Sequence, residues 1–239
     1  SWNGVGAVRL FDNSGAPIST NLDIAKITGK VGAASGNRGD GVGFHGNGND
    51  AYVVVNNGTD DQGAKQVWLT VLNANDGSAR YSRAVADDIS LTGPDRVDAA
   101  IDPSGRVIAV FDDTSATGGA NRLVLARVFD ETGKPVGGTF YVSELENGPA
   151  AAAESRQARV SWRGGLAAVV WQSLNNPNSP DQRVVAARFF STFTAGSVES
   201  VGLKRLVSDT PIILPEADAL GNWEPNISVL GNSVFLLEG

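Results

Sequence analysis

The sequence predicts an all-β fold made of four copies of one four-stranded antiparallel sheet, with one copy divided between the two ends of the chain. Three observations predict it. A pattern of apolar strand, polar loop, arginine-bearing strand and turn recurs at a spacing of about 60 residues. The turn after the arginine-bearing strand contains glycine in every copy. The first and last segments each hold half a copy, and together they make a fourth. Four antiparallel strands per repeat are the signature of a propeller blade, so the expected architecture is a four-bladed β-propeller.

The strands can be named A to D in order. Strand A is built of small residues, as in Gly41-Val42-Gly43, Asp98-Ala99-Ala100, Ala158-Arg159-Val160 and Asn226-Ile227-Ser228. Small side chains suit the crowded axis of a ring. Strand B is nearly continuous in apolar residues: Ala51 to Val55, Val107 to Phe111, Leu166 to Trp171 and Val234 to Leu237. Such runs read as strands buried on both faces.

Strand C is Val8-Arg9-Leu10-Phe11-Asp12, Leu69-Thr70-Val71-Leu72-Asn73, Ala126-Arg127-Val128-Phe129-Asp130 and Ala187-Arg188-Phe189-Phe190-Ser191. The glycines that follow, Gly15, Gly77, Gly133 and the looser Gly196, supply the positive φ that tight turns demand. Strand D comes after the turn. The copies then run 30–89, 90–145 and 146–206, and the divided one joins 207–239 to 1–29 in a single domain.

Composition agrees with many short strands and tight turns. Glycine is abundant at 29 of 239 residues, while cysteine and methionine are absent. The lack of cysteine excludes disulfides and thiolate metal sites, and the lack of both leaves no readily oxidised sulfur. That fits an extracellular or cell-surface life, with the periplasm as a second compartment. A formal charge of −7 repels a phosphate backbone, so no nucleic-acid partner is expected. No apolar run reaches the length of a bilayer-spanning helix, and no membrane insertion is expected.

The units "apolar strand ending in Val-Trp, polar loop, Ala-Arg-Phe-Asp, x-x-Gly, x-Pro-Val-Gly" resemble the β-propeller repeats of secreted and cell-surface bacterial proteins. Arg127 to Gly137 and Val169 to Phe190 carry the resemblance best. It implies a fold far more than an activity, because such families include adhesins, scaffolds and enzymes. The Ser-x-Asp-x-Gly-x-Thr-Trp box of sialidase-type propellers is missing.

Joining Glu238-Gly239 to Ser1-Trp2-Asn3-Gly4-Val5 would place Asn-Gly, a strong hairpin signal, at the turn of a B-to-C hairpin. Closure of the ring by the terminal strands is therefore the expectation, with excision from a longer repeat array as its rival.

Two clusters are candidate sites. Loops before strand A carry Arg38, Arg96 and Arg156, with Trp223 in the fourth copy. Superposed copies would ring one mouth of the channel with guanidiniums able to bind an anion. The bland alternative is salt bridging of Arg38 to Asp40 and Arg96 to Asp98. The B-to-C loops are acidic, holding Asp60 and Asp61, Asp112 and Asp113, Asn175 and Asp181, and Glu238. Paired carboxylates such as Asp112 and Asp113 could ligate Ca²⁺, the one metal cofactor the sequence leaves open, or act in glycoside hydrolysis. Solvated loop carboxylates are the commoner outcome.

The remaining motifs read as structural. Arg9, Arg127 and Arg188 recur at one blade position, where a packed stem and paired head are expected. His45 is the one histidine and has no nucleophile elbow beside it. Trp68 and Trp171 read as core, while Trp2, Trp162 and Trp223 lie nearer turns and could serve a lectin-like rim. Arg38-Gly39-Asp40 matches an integrin tripeptide, and Asn57-Gly58-Thr59 and Asn226-Ile227-Ser228 match the glycan acceptor pattern.

The sequence favours a non-enzymatic propeller acting as an interaction or structural module within a larger assembly, with a protein partner. The alternatives are a carbohydrate-binding or carbohydrate-active propeller and the repeat unit of a surface fibre.

Overall fold

Among the described residues, every extended element belongs to an antiparallel sheet and the one helical piece is a 3₁₀ turn at Ser115–Thr117. The computed structural model describes residues 7–12, 14–23, 42–119, 121–143, 154–163, 165–174, 182–194, 197–200, 205–206, 212–213, 226–230 and 233–237.

The N-terminal pair is β1 (Ala7–Val8) with β2 (Leu22–Asp23). A four-stranded sheet follows in the order β3 (Val42–Gly46), β4 (Ala51–Thr59), β5 (Lys65–Asn73) and β6 (Ala79–Ala84). The next sheet repeats that order with β7 (Asp95–Ile101), β8 (Val107–Asp113), β9 (Leu123–Phe129) and β10 (Phe140–Tyr141). These are the expected A, B, C and D strands of the first two whole copies.

The third sheet has β11 (Ser155–Arg163), β12 (Leu166–Leu174) and the long β13 (Gln182–Thr194). Its outer edge is not one strand. β14 (Ser197–Ser200), β15 (Arg205–Leu206) and β16 (Ile212–Ile213) pair in turn along β13. This sheet therefore takes in residues past 206. A final hairpin joins β17 (Asn226–Leu230) to β18 (Ser233–Leu237).

The apolar B strands explain the stacking. In β8, Val107, Ala109 and Phe111 face the first sheet, where they meet Val53, Val55, Val67 and Leu69. Ile108 and Val110 point the other way, toward Val160, Trp162, Val169 and Trp171 of the third sheet. Both faces of β8 are thus core, which is why its sequence does not alternate. Each fully buried Val, Leu, Ile or Phe contributes about 1.5–3 kcal/mol.

The A strands carry the contacts from sheet to sheet: β7 packs on β3 and β4, β11 on β7 and β8, and β17 on β11 and β12. This succession of face-packed sheets is propeller-like. On the free face of the first sheet, Val54 and Leu72 cluster with Leu22 and Tyr52, so the N-terminal pair lies on the side opposite the second sheet.

Two of the turns after strand C share one hydrogen-bond pattern, while the turn after β5 is one residue longer, with the Asn73 amide on the Ser78 carbonyl and the Gly77 amide on the Asn73 carbonyl. The Asp130 amide donates to the Lys134 carbonyl at 2.9 Å and the Gly133 amide to the Asp130 carbonyl at 2.9 Å, while Asp130 Oδ1 accepts the Thr132 and Lys134 amides. Asp12 and Gly15 reproduce every bond, with Ser14 and Ala16 as donors. Residues 7–23 are therefore a C-to-D hairpin. The same Asp-x-x-Gly turn also closes the B-to-C loop at Asp60 and the A-to-B turn at Asp102.

Neighbouring sheets lock together at these glycines. A Cβ on Gly133, whose φ is +80°, would lie 2.6 Å from the Tyr81 ring of β6. A Cβ on Gly77, at φ +72°, would lie 2.7 Å from Leu22 of β2. Leu22 thus holds toward the first sheet the place that Tyr81 holds toward the second.

Candidate functional site

The polar groups of interest lie where consecutive sheets meet, and Asp98 is the first of them. It sits in β7 and is almost fully buried at 3 % exposure. Its Oδ1 is 2.8 Å from His45 Nε2 of the first sheet, and its Oδ2 accepts the Val160 amide of the third at 3.0 Å. One carboxylate therefore ties three A strands. Burial, the largest single influence on His45, pulls its pKa down, yet the Asp98 hydrogen bond and charge outweigh it and the net value rises above the ordinary 6.5. His45 is a strand residue of β3 with a half-exposed ring, and its partner is an inter-sheet carboxylate.

A β-bulge positions Asp98. Asp95 is opposite Asp112 and Asp98 opposite Val110, which leaves an extra residue in β7, and Arg96 there takes φ +46°. The third sheet repeats the device: Arg156 is opposite Gln172, Arg159 opposite Val170, and Gln157 takes φ +59°. Bulges of this kind re-aim side chains and bend the strand. The register makes Gln157, not Arg156, the counterpart of Arg96. The expected superposition of Arg96 on Arg156 is thus off by one residue, because the bulge and not the residue type sets the alignment. Arg156 Nη1 lies 3.5 Å from Glu154. Arg38 and Trp223 lie outside the described residues.

Asp112 and Asp113, at the far end of β8, are fully buried and engaged. Asp112 Oδ1 accepts Arg122 Nη1 at 2.6 Å, and Oδ2 accepts the Gln157 amide of the third sheet at 3.0 Å. Burial pushes the Asp112 pKa up to about 7, against the pull of Arg122 and the Gln157 amide. Asp113 accepts the amides of Thr92, Gly93 and Ser115 at 2.7–3.2 Å. These carboxylates are bound to the protein itself and not held open in solvent. Among the described residues no three His, Asp or Glu side chains are grouped to hold a metal ion.

Arg127 behaves as its place in strand C predicts. It is buried, and its Nη1 donates to the Val85 carbonyl at 2.9 Å and pairs with Asp87 and Asp88 of the preceding inter-sheet loop. Trp171 is wholly buried as expected. Trp162 is buried too, at 5 %, with the Arg106 guanidinium 5.1 Å from its ring centre, so it does not form part of an exposed rim. Asn57 is 6 % exposed and donates to the Pro94 carbonyl at 3.3 Å, which removes it as a glycan acceptor in the folded protein. Asn226, like Trp2 and Asp40, has no described side chain.

Between the first and second sheets, at the B-to-C loop end, lies a cavity of about 250 Å³. Asn57, Thr59 and Lys65 line it from one side and Gly93, Asp95 and Arg122 from the other. The sequence reading missed it because its residues come from four separate segments.

No family model matches the chain, and no curated protein matches it. Among solved structures, a GH43 endo-arabinanase from Bacillus licheniformis is 14 % identical with a TM-score of 0.39, over 82 % of this chain and 72 % of that one. A GH43 protein, BlXynB, from the same organism is 9 % identical with a TM-score of 0.36, over 84 % of this chain and 52 % of its own. Likeness at that level carries no argument about activity.

Proposed function

We propose that the chain is a four-bladed propeller, with the N- and C-terminal segments sharing one blade, that serves as a non-catalytic interaction module outside the cell. Support for the shared blade comes from Leu22 on Gly77, which repeats the Tyr81 and Gly133 junction between whole sheets. The β17–β18 hairpin supplies the A and B strands at the other end of the stack.

The observation that carries the functional reading is the use of the acidic loop residues. A general acid and base in glycoside hydrolysis need carboxyls that face a substrate. Asp112 and Asp113 instead spend their oxygens on Arg122 and on backbone amides from both neighbouring loops and sheets. A Ca²⁺ ion would have to displace those bonds, so Asp112 ties the second sheet to the third, Asp113 ties the loops that flank its own sheet, and the ring presents its loops to a protein partner. The absence of oxidisable sulfur suits an extracellular or cell-surface setting.

Incubation with a panel of plant and bacterial polysaccharides, with and without calcium, tests the reading. No release of reducing ends and no calcium-dependent rise in Tm are expected. Turnover on any glycan, or a calcium shift abolished by Asp113→Asn, would overturn it.

A further inference from the structure

We propose that the cavity between the first two sheets binds a small carboxylate carrying a hydrogen-bond donor on the adjacent carbon, the chemistry shared by α-hydroxy and α-amino acids. Three features of the lining argue for it, and none depends on how the ring closes.

The first is a pair of cationic groups with donor capacity to spare. Arg122 is fixed by Nη1, which donates to Asp112 and to the Gly93 carbonyl at 3.0 Å. Its Nη2 is 3.9 Å from Asp95 Oδ2, beyond hydrogen-bond reach, and so keeps its donor capacity. Among the described residues the Lys65 side chain has no hydrogen-bond or ion-pair partner, and its ammonium lies 3.8 Å from the position a Cβ on Gly93 would take. A carboxylate between Lys65 and Arg122 would gain charge-assisted bonds from a guanidinium that is already immobilised.

The second feature is an acceptor beside those donors. Asp95 Oδ1 accepts the Arg96 amide at 3.0 Å, and the carboxylate stays about one-third exposed on the cavity wall. A hydroxyl or ammonium next to the ligand carboxylate would donate to it. Asn57 Oδ1, buried in the same wall, has no partner, which marks the wall as incompletely satisfied.

The third is size and surface. About 250 Å³ lies below the roughly 300–1,000 Å³ usual for larger ligands, which fits a small molecule and not an oligosaccharide. Among the described residues no aromatic ring lines the cavity, so a sugar ring would find no stacking platform there. The chain's charge of −7 offers no long-range attraction for an anion, which makes the contact local and the expected affinity modest.

An NMR titration following the Gly58 and Gly93 amides tests the site with four probes of five or six heavy atoms: lactate, alanine, propionate and propionamide. Lactate or alanine should shift both amides saturably, propionate should bind more weakly, and propionamide should leave them unmoved. Lys65→Gln should weaken binding about tenfold, one charge-assisted bond's worth. Lys65→Arg should restore most of it. Lys65 is exposed and without a structural partner, so both variants should fold as the parent does. Equal shifts with propionamide, unchanged binding in Lys65→Gln, or no saturable shift with any probe would overturn the proposal.

Discussion

His45 Nε2 and Asp98 Oδ1 lie 2.8 Å apart and join the first strands of two neighbouring sheets, while the other oxygen of Asp98 holds the Val160 amide of a third. Removing the carboxylate leaves a buried amide and an imidazole without their acceptor. Asp98→Ala should cost about 2–3 kcal/mol, because charge-assisted bonds left half-made are the expensive case. For a chain of this length that corresponds to a fall in Tm of roughly 5–10 °C. A Tm within a degree of the parent would show that the three strands are held by packing alone.

The same pair gives stability a pH dependence. The folded pKa of His45 is raised, so its contribution is complete below 6.5 and is lost as pH rises through the folded value. Thermal melts from pH 6 to 8.5 should show a decline in Tm, and His45→Gln should flatten it. An equal slope in both proteins would assign the decline to another group.

Asp112 acts in the neighbouring window with the same sign. Its folded pKa of about 7 exceeds the ordinary 3.8, so the native state keeps a proton that the unfolded chain releases, and stability falls as pH rises between those values. Asp112→Asn removes this titration but supplies a single acceptor oxygen where Arg122 and the Gln157 amide need two. The variant should be less stable by about 1–3 kcal/mol near pH 7, and its Tm should vary less than the parent's between pH 4 and 7.

The inter-sheet turns can be tested by adding one methyl group. Gly133→Ala places a Cβ against the Tyr81 ring at a φ that L residues rarely adopt. A loss of about 1–3 kcal/mol is expected from overpacking and backbone strain together. In a Tyr81→Ala background the overpacking disappears and the strain remains, so the penalty should shrink without vanishing. Equal penalties in both backgrounds would mean that the ring does not fill that space.

The strands were legible in the sequence because double-sided burial leaves continuous apolar runs, as in Val107 to Phe111, and because the turn glycines recur. The order of strands within the first two four-stranded sheets, and of the first three strands in the third, followed from that pattern alone. The ties between sheets were not legible. Asp98 meets His45 and Val160 from positions 53 and 62 residues away, and nothing local marks it. The bulge falls at Arg96 in one sheet and at Gln157 in the other, so aligning arginine with arginine misplaces Arg156 by one residue. Asp112 and Asp113 looked like open loop carboxylates because sequence shows acidity and not burial. The Asp-x-x-Gly turn was half visible: its glycine was read, but the aspartate that accepts two amides was not.

The shared blade makes the largest claim on the chain and has a direct test. Leu10 is buried and Leu22 lies against Gly77, while Val54 and Leu72 on the free face of the first sheet are covered with Leu22 and Tyr52. Deleting residues 1–29 would expose that face and strip β1 and β2 from the proposed shared blade. Full burial of a Leu side chain contributes about 1.5–3 kcal/mol and Leu22 is partly buried, so Leu22→Ala alone should lower stability by about 1 kcal/mol. The deletion should cost several times that and promote association through the uncovered face. Supplying residues 1–29 as a separate peptide should restore the monomer if the segment docks as a unit. A deletion variant that stays monomeric with the parent's Tm would show that the segment is dispensable and that the fourth blade is not completed within the chain. Association of the full-length chain at rising concentration, with the deletion variant unable to join, would instead place the pairing between molecules.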